Sequence, residues 1–120
     1  MMLDWNGYHQ QVLSMVAELG RSSPGTVRGY RELGAAGGAK DLLGARTREL
    51  IALAVAVTRQ CDGCIVIHTD AALKHGATHD EVAEALGVAI AVNAGAALVY
   101  STRVLDAVAA KSALPDRARE

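Results

Sequence analysis

Hydrophobic and polar positions along the chain recur with a helical period. Between Trp5 and Leu19 the apolar side chains are spaced three or four residues apart, which places them on one face of a helix. No segment shows the strict alternation of apolar and polar residues that marks a half-buried strand. The pattern therefore predicts an all-α fold.

Turn signals divide this pattern into about six predicted helices. GRSSPG ends the first helix, and Gly76 suits the left-handed position that closes the fourth. Thr78 and Glu81 have the spacing of a capping box, which opens the fifth. The predicted helices cover Trp5 to Leu19, a weak segment from about Pro24, Leu42 to Thr58, Cys61 to Gly76, a segment after Thr78 that ends around Ala94, and Ala96 to about Lys111. The tail, residues 112–120, is expected to be frayed.

Two of these helices are apolar on more than one face. Leu50 to Val57 is an uninterrupted hydrophobic run, and Asn93 is the one clearly polar side chain between Val88 and Tyr100. A helix that is hydrophobic all round must lie at the centre of a fold or against another subunit. We therefore expect a homo-oligomer joined through these helices. A compact monomer built around one central helix is the alternative.

Composition and charge narrow the class of protein. A chain of 120 residues is about one domain, so we expect a single domain over residues 1–120. The formal net charge of −1 provides no basic field for nucleic acid or for an anionic membrane. The N-terminus lacks a secretory signal, and the longest apolar stretch is interrupted by Asn93 and short for a membrane span. We expect a cytoplasmic protein that binds neither nucleic acid nor a membrane.

The segment QCDGCIVIH contains both cysteines and a histidine four positions after the second. In a reducing cytosol such a pair is more often catalytic or metal-binding than a permanent crosslink. On a helix that begins near Cys61, the side chains of Cys61, Cys64 and His68 share one face. The free N–H groups and positive partial charge of a first helical turn stabilise a thiolate, which is the nucleophilic form of cysteine.

Glu49 is a carboxylate in an unexpected place, because it shares a helical face with Leu53 and Ala56. Burial would favour its protonated form and let it exchange a proton with His68, directly or through water. The plainer interpretation is an ion pair with Arg46, one helical turn earlier. Both interpretations stay open at this point.

The segment RELIALAVAVTRQCDGCIVIHTDAALKHGATHDEVAEAL resembles the carboxymuconolactone decarboxylase superfamily, and within it the alkylhydroperoxidase D-like branch. That branch is marked by a Glu, a Cys-x-x-Cys pair and a His four residues after the second Cys. The residues that match it in order and spacing are Glu49, Cys61, Cys64 and His68. The likeness extends over about 31–106 and implies an all-helical subunit that assembles as a homotrimer or homohexamer.

Two features distinguish this chain within the superfamily. The alkylhydroperoxidase proper has a histidine directly before the second cysteine, where this chain has Gly63. The decarboxylases that give the superfamily its name do not rely on a Cys-x-x-Cys pair. The cysteine pair therefore argues against decarboxylase chemistry, and Gly63 suggests a smaller proton network than that of the alkylhydroperoxidase.

The resemblance and the residues together predict an antioxidant oxidoreductase, a peroxidase with a redox-active disulfide. Cys64 would attack a peroxide O–O bond, His68 would accept the thiol proton, and Glu49 would complete the relay. Cys61 would then close the disulfide and exchange with a dithiol reductant, although the roles of the two cysteines could be reversed. A pocket lined by Leu, Val and Ala would suit a small organic hydroperoxide. No cofactor and no metal are expected.

Two other functions compete with this hypothesis. Cys61, Cys64 and His68 could bind zinc with His75, His79 or water as the fourth ligand, although structural zinc sites usually draw their second ligand pair from a separate element. The chain could also be a decarboxylase-like or small-molecule-binding oligomer without peroxidase activity, in which case the thiols would be unreactive.

Overall fold

The computed structural model describes residues 1–113 and contains five α-helices within them. They are α1 (Trp5–Ser22), α2 (Pro24–Gly37), α3 (Ala45–Thr58), α4 (Asp62–Lys74) and α5 (His79–Ser112). No strand occurs in this range, so the predicted all-α fold is confirmed. The prediction for the tail falls outside the described residues from position 114 onward.

The structure differs from the prediction of about six helices because the expected fifth and sixth helices are one continuous helix, α5, of 34 residues. Gly95 does not interrupt it. A single glycine costs a helix only about 1 kcal/mol relative to alanine, and the flanking residues are strong helix formers. The side-chain amide of Asn93 donates to the carbonyl oxygen of Ala89 at 2.8 Å, so this polar side chain is satisfied within the helix.

The helix boundaries follow local signals. The capping box is present, since the Glu81 N–H donates to Thr78 Oγ1 at 3.1 Å and the Thr78 N–H donates to Glu81 Oε1 at 3.3 Å. Gly76 has φ +86°, the left-handed conformation expected of it. Helix α3 begins at Ala45 rather than at Leu42, because Gly44 before it has φ +80° and cannot belong to a helix.

The packing divides the described residues into two parts. Helix α3 packs against α4 and α5, while α1 packs against α2 and α4. The core cluster contains Leu53 from α3, Ala72 from α4 and Ala77 from the turn before α5, with Leu50 and Val82 packed around it. The α1–α2 hairpin is therefore attached to the α3–α4–α5 core through the contact between α1 and α4.

The chain is extended, with a radius of gyration of 20.9 Å. A compact domain of this length has a radius of about 13 Å. Much of the difference lies in α5, which continues past the core with its apolar side chains uncovered. By length and composition α5 is also the one helix among residues 1–113 that could cross a membrane. Its exposed apolar side chains, from 54% to 73% accessible, are Val88, Ile90, Val92, Leu98, Val99, Tyr100, Val104, Leu105 and Val108.

Candidate active site

The two cysteines form a disulfide bond at the start of α4. Their Cα atoms are 5.2 Å apart, within the usual range for a disulfide. Cys61 is the N-cap residue of α4, and its Sγ accepts a hydrogen bond from the Cys64 N–H at 3.2 Å. The first cysteine is thus held at the positive end of the helix, as the spacing predicts, although α4 itself begins one residue later, at Asp62.

The short connection between α3 and α4 fixes the position of Cys61. Gln60 has φ +52°, a left-handed conformation that is uncommon for a residue with a side chain. The Cys61 N–H donates to the carbonyl oxygen of Ala56, and the Gln60 N–H donates to that of Val57, both at 3.2 Å. This is the Schellman pattern that ends a helix. The backbone N–H of Cys61 is therefore hydrogen-bonded to the end of α3, and its sulfur accepts a hydrogen bond from the first turn of α4.

Glu49 and His68 come together from neighbouring helices. Glu49 Oε2 of α3 lies 2.7 Å from His68 Nδ1 of α4. The side chains are 23% and 30% exposed, so water screens this contact only partly. Arg46, the other candidate partner of Glu49, instead places its Nε 3.4 Å from Glu81 Oε2. The plainer interpretation of Glu49 as a partner of Arg46 is therefore wrong.

The contact with Glu49 determines which ring nitrogen of His68 carries a proton. A carboxylate accepts a hydrogen bond, so the contact holds a proton on His68 Nδ1 and leaves Nε2 of the neutral ring as a proton acceptor. Cys64 precedes His68 by four residues in α4, so the two side chains are neighbours on one face of the helix. The structure thus places Glu49 beside His68, and the helical spacing places Cys64 one turn before His68.

Gly63 faces a different helix from the Glu49–His68 pair. A Cβ atom added at Gly63 would lie 3.7 Å from Cγ1 of Val12 in α1, which is an ordinary packing distance. A side chain at this position would therefore begin in contact with α1. The contact between Glu49 and His68 forms without any contribution from position 63.

A cavity of about 350 Å³ lies between α1 and α4, on the side of α4 opposite His68. Its lining mixes apolar and polar side chains: Trp5, Asn6, His9, Ile65, Val66, Thr69, Asp70 and Leu73. The pKa of Asp70 is lowered, mainly by its hydrogen bond to Lys74 and less by the charges of Lys74 and His9. Sequence reasoning missed the α1 residues, because nothing in the sequence specifies which face of α1 meets α4.

A second cavity, of about 390 Å³, lies between α3 and α5 and is almost entirely apolar. Its walls include Ile51, Val55, Val88 and Val92, with Asn93 at one side. It matches the expected Leu, Val and Ala lining better than the α1–α4 cavity does. Neither cavity is lined by Cys64 or His68.

The histidines considered as further zinc ligands lie at the turn between α4 and α5. His75 is the C-cap of α4, and the His79 side chain is 97% exposed. Within residues 1–113, no group of three or more His, Cys, Asp or Glu side chains is placed to hold a metal ion. Zinc binding would also require the disulfide to be reduced, since the metal ligand is the thiolate.

The fold and this site define a class of protein. It is an all-helical chain in which a cysteine pair opens one helix and a histidine of that helix contacts a glutamate of the preceding one. The model of the Carboxymuconolactone decarboxylase family matches residues 24–107. The chain belongs to the carboxymuconolactone decarboxylase family, as the resemblance indicated.

Similar proteins agree with this assignment. An uncharacterised protein of Haemophilus influenzae is 48% identical over 113 residues, which is 94% of this chain and 100% of that protein. An uncharacterised protein of Cupriavidus necator is 34% identical over 87 residues, 72% of this chain and 77% of that protein. The apo crystal structure of a carboxymuconolactone decarboxylase family protein from Legionella pneumophila has a TM-score of 0.71 and 32% identity, covering 86% of this chain and 92% of that one.

Proposed function

We propose that the protein is a thiol-dependent peroxide reductase of the alkylhydroperoxidase D-like branch. The observation that supports this most directly is the 2.7 Å contact between Glu49 Oε2 and His68 Nδ1, one helical turn from a cysteine pair that forms a disulfide. A structural disulfide needs no base beside it, whereas a thiol that must ionise repeatedly gains from one.

The reaction begins from the reduced pair. His68 Nε2 takes the proton of Cys64, and the resulting thiolate attacks one oxygen of the hydroperoxide. The O–O bond breaks, that oxygen stays on Cys64 as a sulfenic acid, and the other leaves as an alkoxide that receives the proton from His68. The carboxylate of Glu49 stabilises the imidazolium while it exists, because the charged ring keeps its hydrogen bond at Nδ1.

Cys61 completes the cycle. Its thiol attacks Sγ of the Cys64 sulfenic acid, water leaves, and the disulfide forms. The peroxide has then been reduced by two electrons to an alcohol, and the cysteine pair has been oxidised. An external dithiol restores the pair by thiol exchange. Attack on Cys61 expels Cys64 as the thiolate, which lies in the first turn of α4, where the positive end of the helix stabilises it.

The proposal also includes the substrate class, the reductant and the cellular location. We infer a small organic hydroperoxide as substrate, a dithiol as reductant and the cytoplasm as location. The chain is rich in Leu, Val and Ala, which favours an alkyl group over a large charged ligand. A cytosolic location supplies dithiols that can return the disulfide to its reduced form.

We also propose that the protein is a homotrimer or homohexamer. The exposed apolar side chains on α5, defined above by the series from Val88 to Val108, form a surface larger than soluble monomers usually leave uncovered. Small residues such as Gly95 in the same helix permit close approach of a second helix. Subunit contacts would cover this surface without changing the packing of α3 on α4.

The function is tested with reduced, metal-free protein and one equivalent of tert-butyl hydroperoxide. Samples quenched at increasing times are analysed for free thiols and intact mass. We expect both thiols to disappear together with a mass loss equal to two hydrogen atoms, and a faster reaction than with hydrogen peroxide. Thiols that persist for hours would contradict the proposal. Metal analysis before and after reduction separates the zinc alternative, which requires stoichiometric metal.

A further inference from the structure

A third cavity, of about 440 Å³, lies between the two helices of the α1–α2 hairpin. Arginine side chains from both helices reach it, Arg21 from α1 and Arg28 and Arg31 from α2. The remaining lining residues are Ala17, Gly20, Pro24 and Val27. The cavity therefore has an apolar floor and a cationic rim.

The three arginines of this cavity lack acidic partners within residues 1–113. Glu18 of α1 and Glu32 of α2 form no ion pair with any of them in that range. The formal net charge of the chain is −1, so the cluster does not reflect a generally basic protein. Three neighbouring guanidinium groups repel one another, and a bound anion would relieve this repulsion.

Other arginines of the chain behave differently. Arg46 pairs with Glu81, Arg48 pairs with Asp41, and Arg103 lies over the ring of Tyr100 at 5.0 Å. Among residues 1–113, the arginines outside the hairpin cavity are thus engaged within the fold, except for Arg59, which is exposed and makes no such contact. Three of the four arginines without such a contact among residues 1–113 therefore lie at one cavity.

The N-terminus of α2 lies beside this cavity, since its first residue, Pro24, is part of the lining. Its N-cap residue, Ser23, makes no side-chain cap bond, and its hydroxyl lies 2.8 Å from that of Thr26 instead. The backbone N–H groups of the first turn therefore have no cap acceptor. Arg28 Nη2 lies 3.9 Å from the position that a Cβ atom at Gly25 would occupy, so one guanidinium is directly beside this turn.

We propose that this cavity binds the phosphate group of a small phosphorylated molecule. A phosphate presents at least three oxygens and about two negative charges, which matches the three guanidinium groups that line the cavity. A carboxylate would satisfy one arginine and leave the others unpaired. The apolar floor formed by Ala17 and Val27 leaves room for the group that carries the phosphate. This inference is independent of the proposed peroxidase activity.

The test is calorimetric titration of the full-length oligomer with inorganic phosphate and with pyrophosphate, at low ionic strength in a buffer without phosphate. Exposed charges are screened by salt, so low ionic strength is needed to see the affinity of this site. We expect saturable binding with one site per chain. Because a charge-assisted hydrogen bond contributes about tenfold in affinity, Arg28→Gln and Arg31→Gln should each weaken binding by about that factor.

Arg59→Gln is the matched control, because it removes the same charge from an exposed arginine that lines the α3–α5 cavity and not the hairpin cavity. It should leave the phosphate affinity within twofold of that of the parent. Three results would overturn the proposal: no saturable binding by the parent, an equal loss in the control, or dissociation of the oligomer by Arg28→Gln. The last would mean that a second copy of the chain supplies the anion. Circular dichroism checks that each variant remains helical.

Discussion

The two most apolar helices of the chain have different surroundings. In α3, Leu53 and Ala56 are almost fully buried against α4 and α5, although other apolar side chains of the same helix stay exposed: Ile51, Val55 and Val57. In α5, Ala89 is buried, but no residue from position 90 to position 113 is. The same kind of hydrophobic run thus forms a core in one region and an uncovered surface in the other. A hydrophobic run in the sequence identifies an apolar helix surface that has to be buried. Whether the same chain buries it depends on which helices pack beside it.

The candidate site and the proposed subunit contact therefore lie in different parts of the molecule. Glu49 and His68 meet across the covered α3–α4 contact, and the disulfide lies at the end of the same two helices. The Glu49–His68 contact and the disulfide therefore form within one chain, whereas the second half of α5 is not covered by that chain. Substitutions in α3 and α4 should change reactivity with little effect on subunit association, and substitutions in the second half of α5 should do the opposite.

The largest effect is expected from removing the attacking thiol. Cys64→Ser should abolish oxidation by tert-butyl hydroperoxide, because no thiolate remains beside His68. Cys61→Ser should still consume one equivalent of peroxide but stop at the sulfenic acid, since the second thiol is missing. Intact mass spectrometry distinguishes the two products by one added oxygen. If Cys61→Ser were the inert variant, the roles of the two cysteines would be reversed.

Glu49→Gln should slow the oxidation of the thiols by about 10²–10⁴-fold, the usual contribution of a positioned proton-transfer group. Glutamine keeps the size of the side chain but removes the charge that holds the proton on His68 Nδ1. Glu84→Gln is the control, because it removes an exposed carboxylate of α5 away from the site. The rate is followed by quenching and thiol counting, and equal slowing in both variants would argue for a general electrostatic effect.

Leu105→Asp should dissociate the oligomer, because it places a charge in the apolar surface of α5, where the side chain is now 71% exposed. We expect the mass from light scattering to fall and the thiols to be oxidised at a rate close to that of the parent. Leu13→Asp makes the same change on α1, at a side chain that is 46% exposed. Dissociation by Leu13→Asp and not by Leu105→Asp would place the subunit contact on α1.

The smallest effect concerns the connection between α3 and α4. Gln60→Gly should raise the free energy of unfolding by about 0.5–1 kcal/mol, because glycine adopts the left-handed conformation without steric cost. Gly44→Ala should lower it by a similar or larger amount, since Gly44 has φ +80°. Both changes are measured by urea denaturation. A loss of stability in Gln60→Gly would mean that the glutamine side chain, and not the backbone, stabilises this turn.

Much of this architecture could be predicted from local sequence signals. The helical period, the capping box at Thr78 and Glu81, and the left-handed Gly76 depend on a few neighbouring residues. The placement of Cys61 at the start of α4 follows from spacing within one helix. The continuity of α5 was harder to predict, because Gly95 is a helix breaker in some contexts and is tolerated among alanines.

Contacts between helices were the part that the sequence left open. Glu49 had two possible partners, His68 and Arg46, and the choice depends on how α3 lies against α4. The residues of α1 that line the cavity against α4 could not be identified, since nothing in the sequence specifies which face of α1 meets α4. The sequence thus located the candidate site residues, while their pairing required the tertiary structure.

The most direct test of the central claim is a double-mutant cycle on Glu49 and His68. The rate of thiol oxidation by tert-butyl hydroperoxide is measured for the parent, Glu49→Gln, His68→Gln and the double variant. If the two side chains act as one proton relay on Cys64, the double variant should be about as slow as His68→Gln alone, because Glu49 acts through the histidine. Effects that multiply would show that the residues act independently and would contradict the relay.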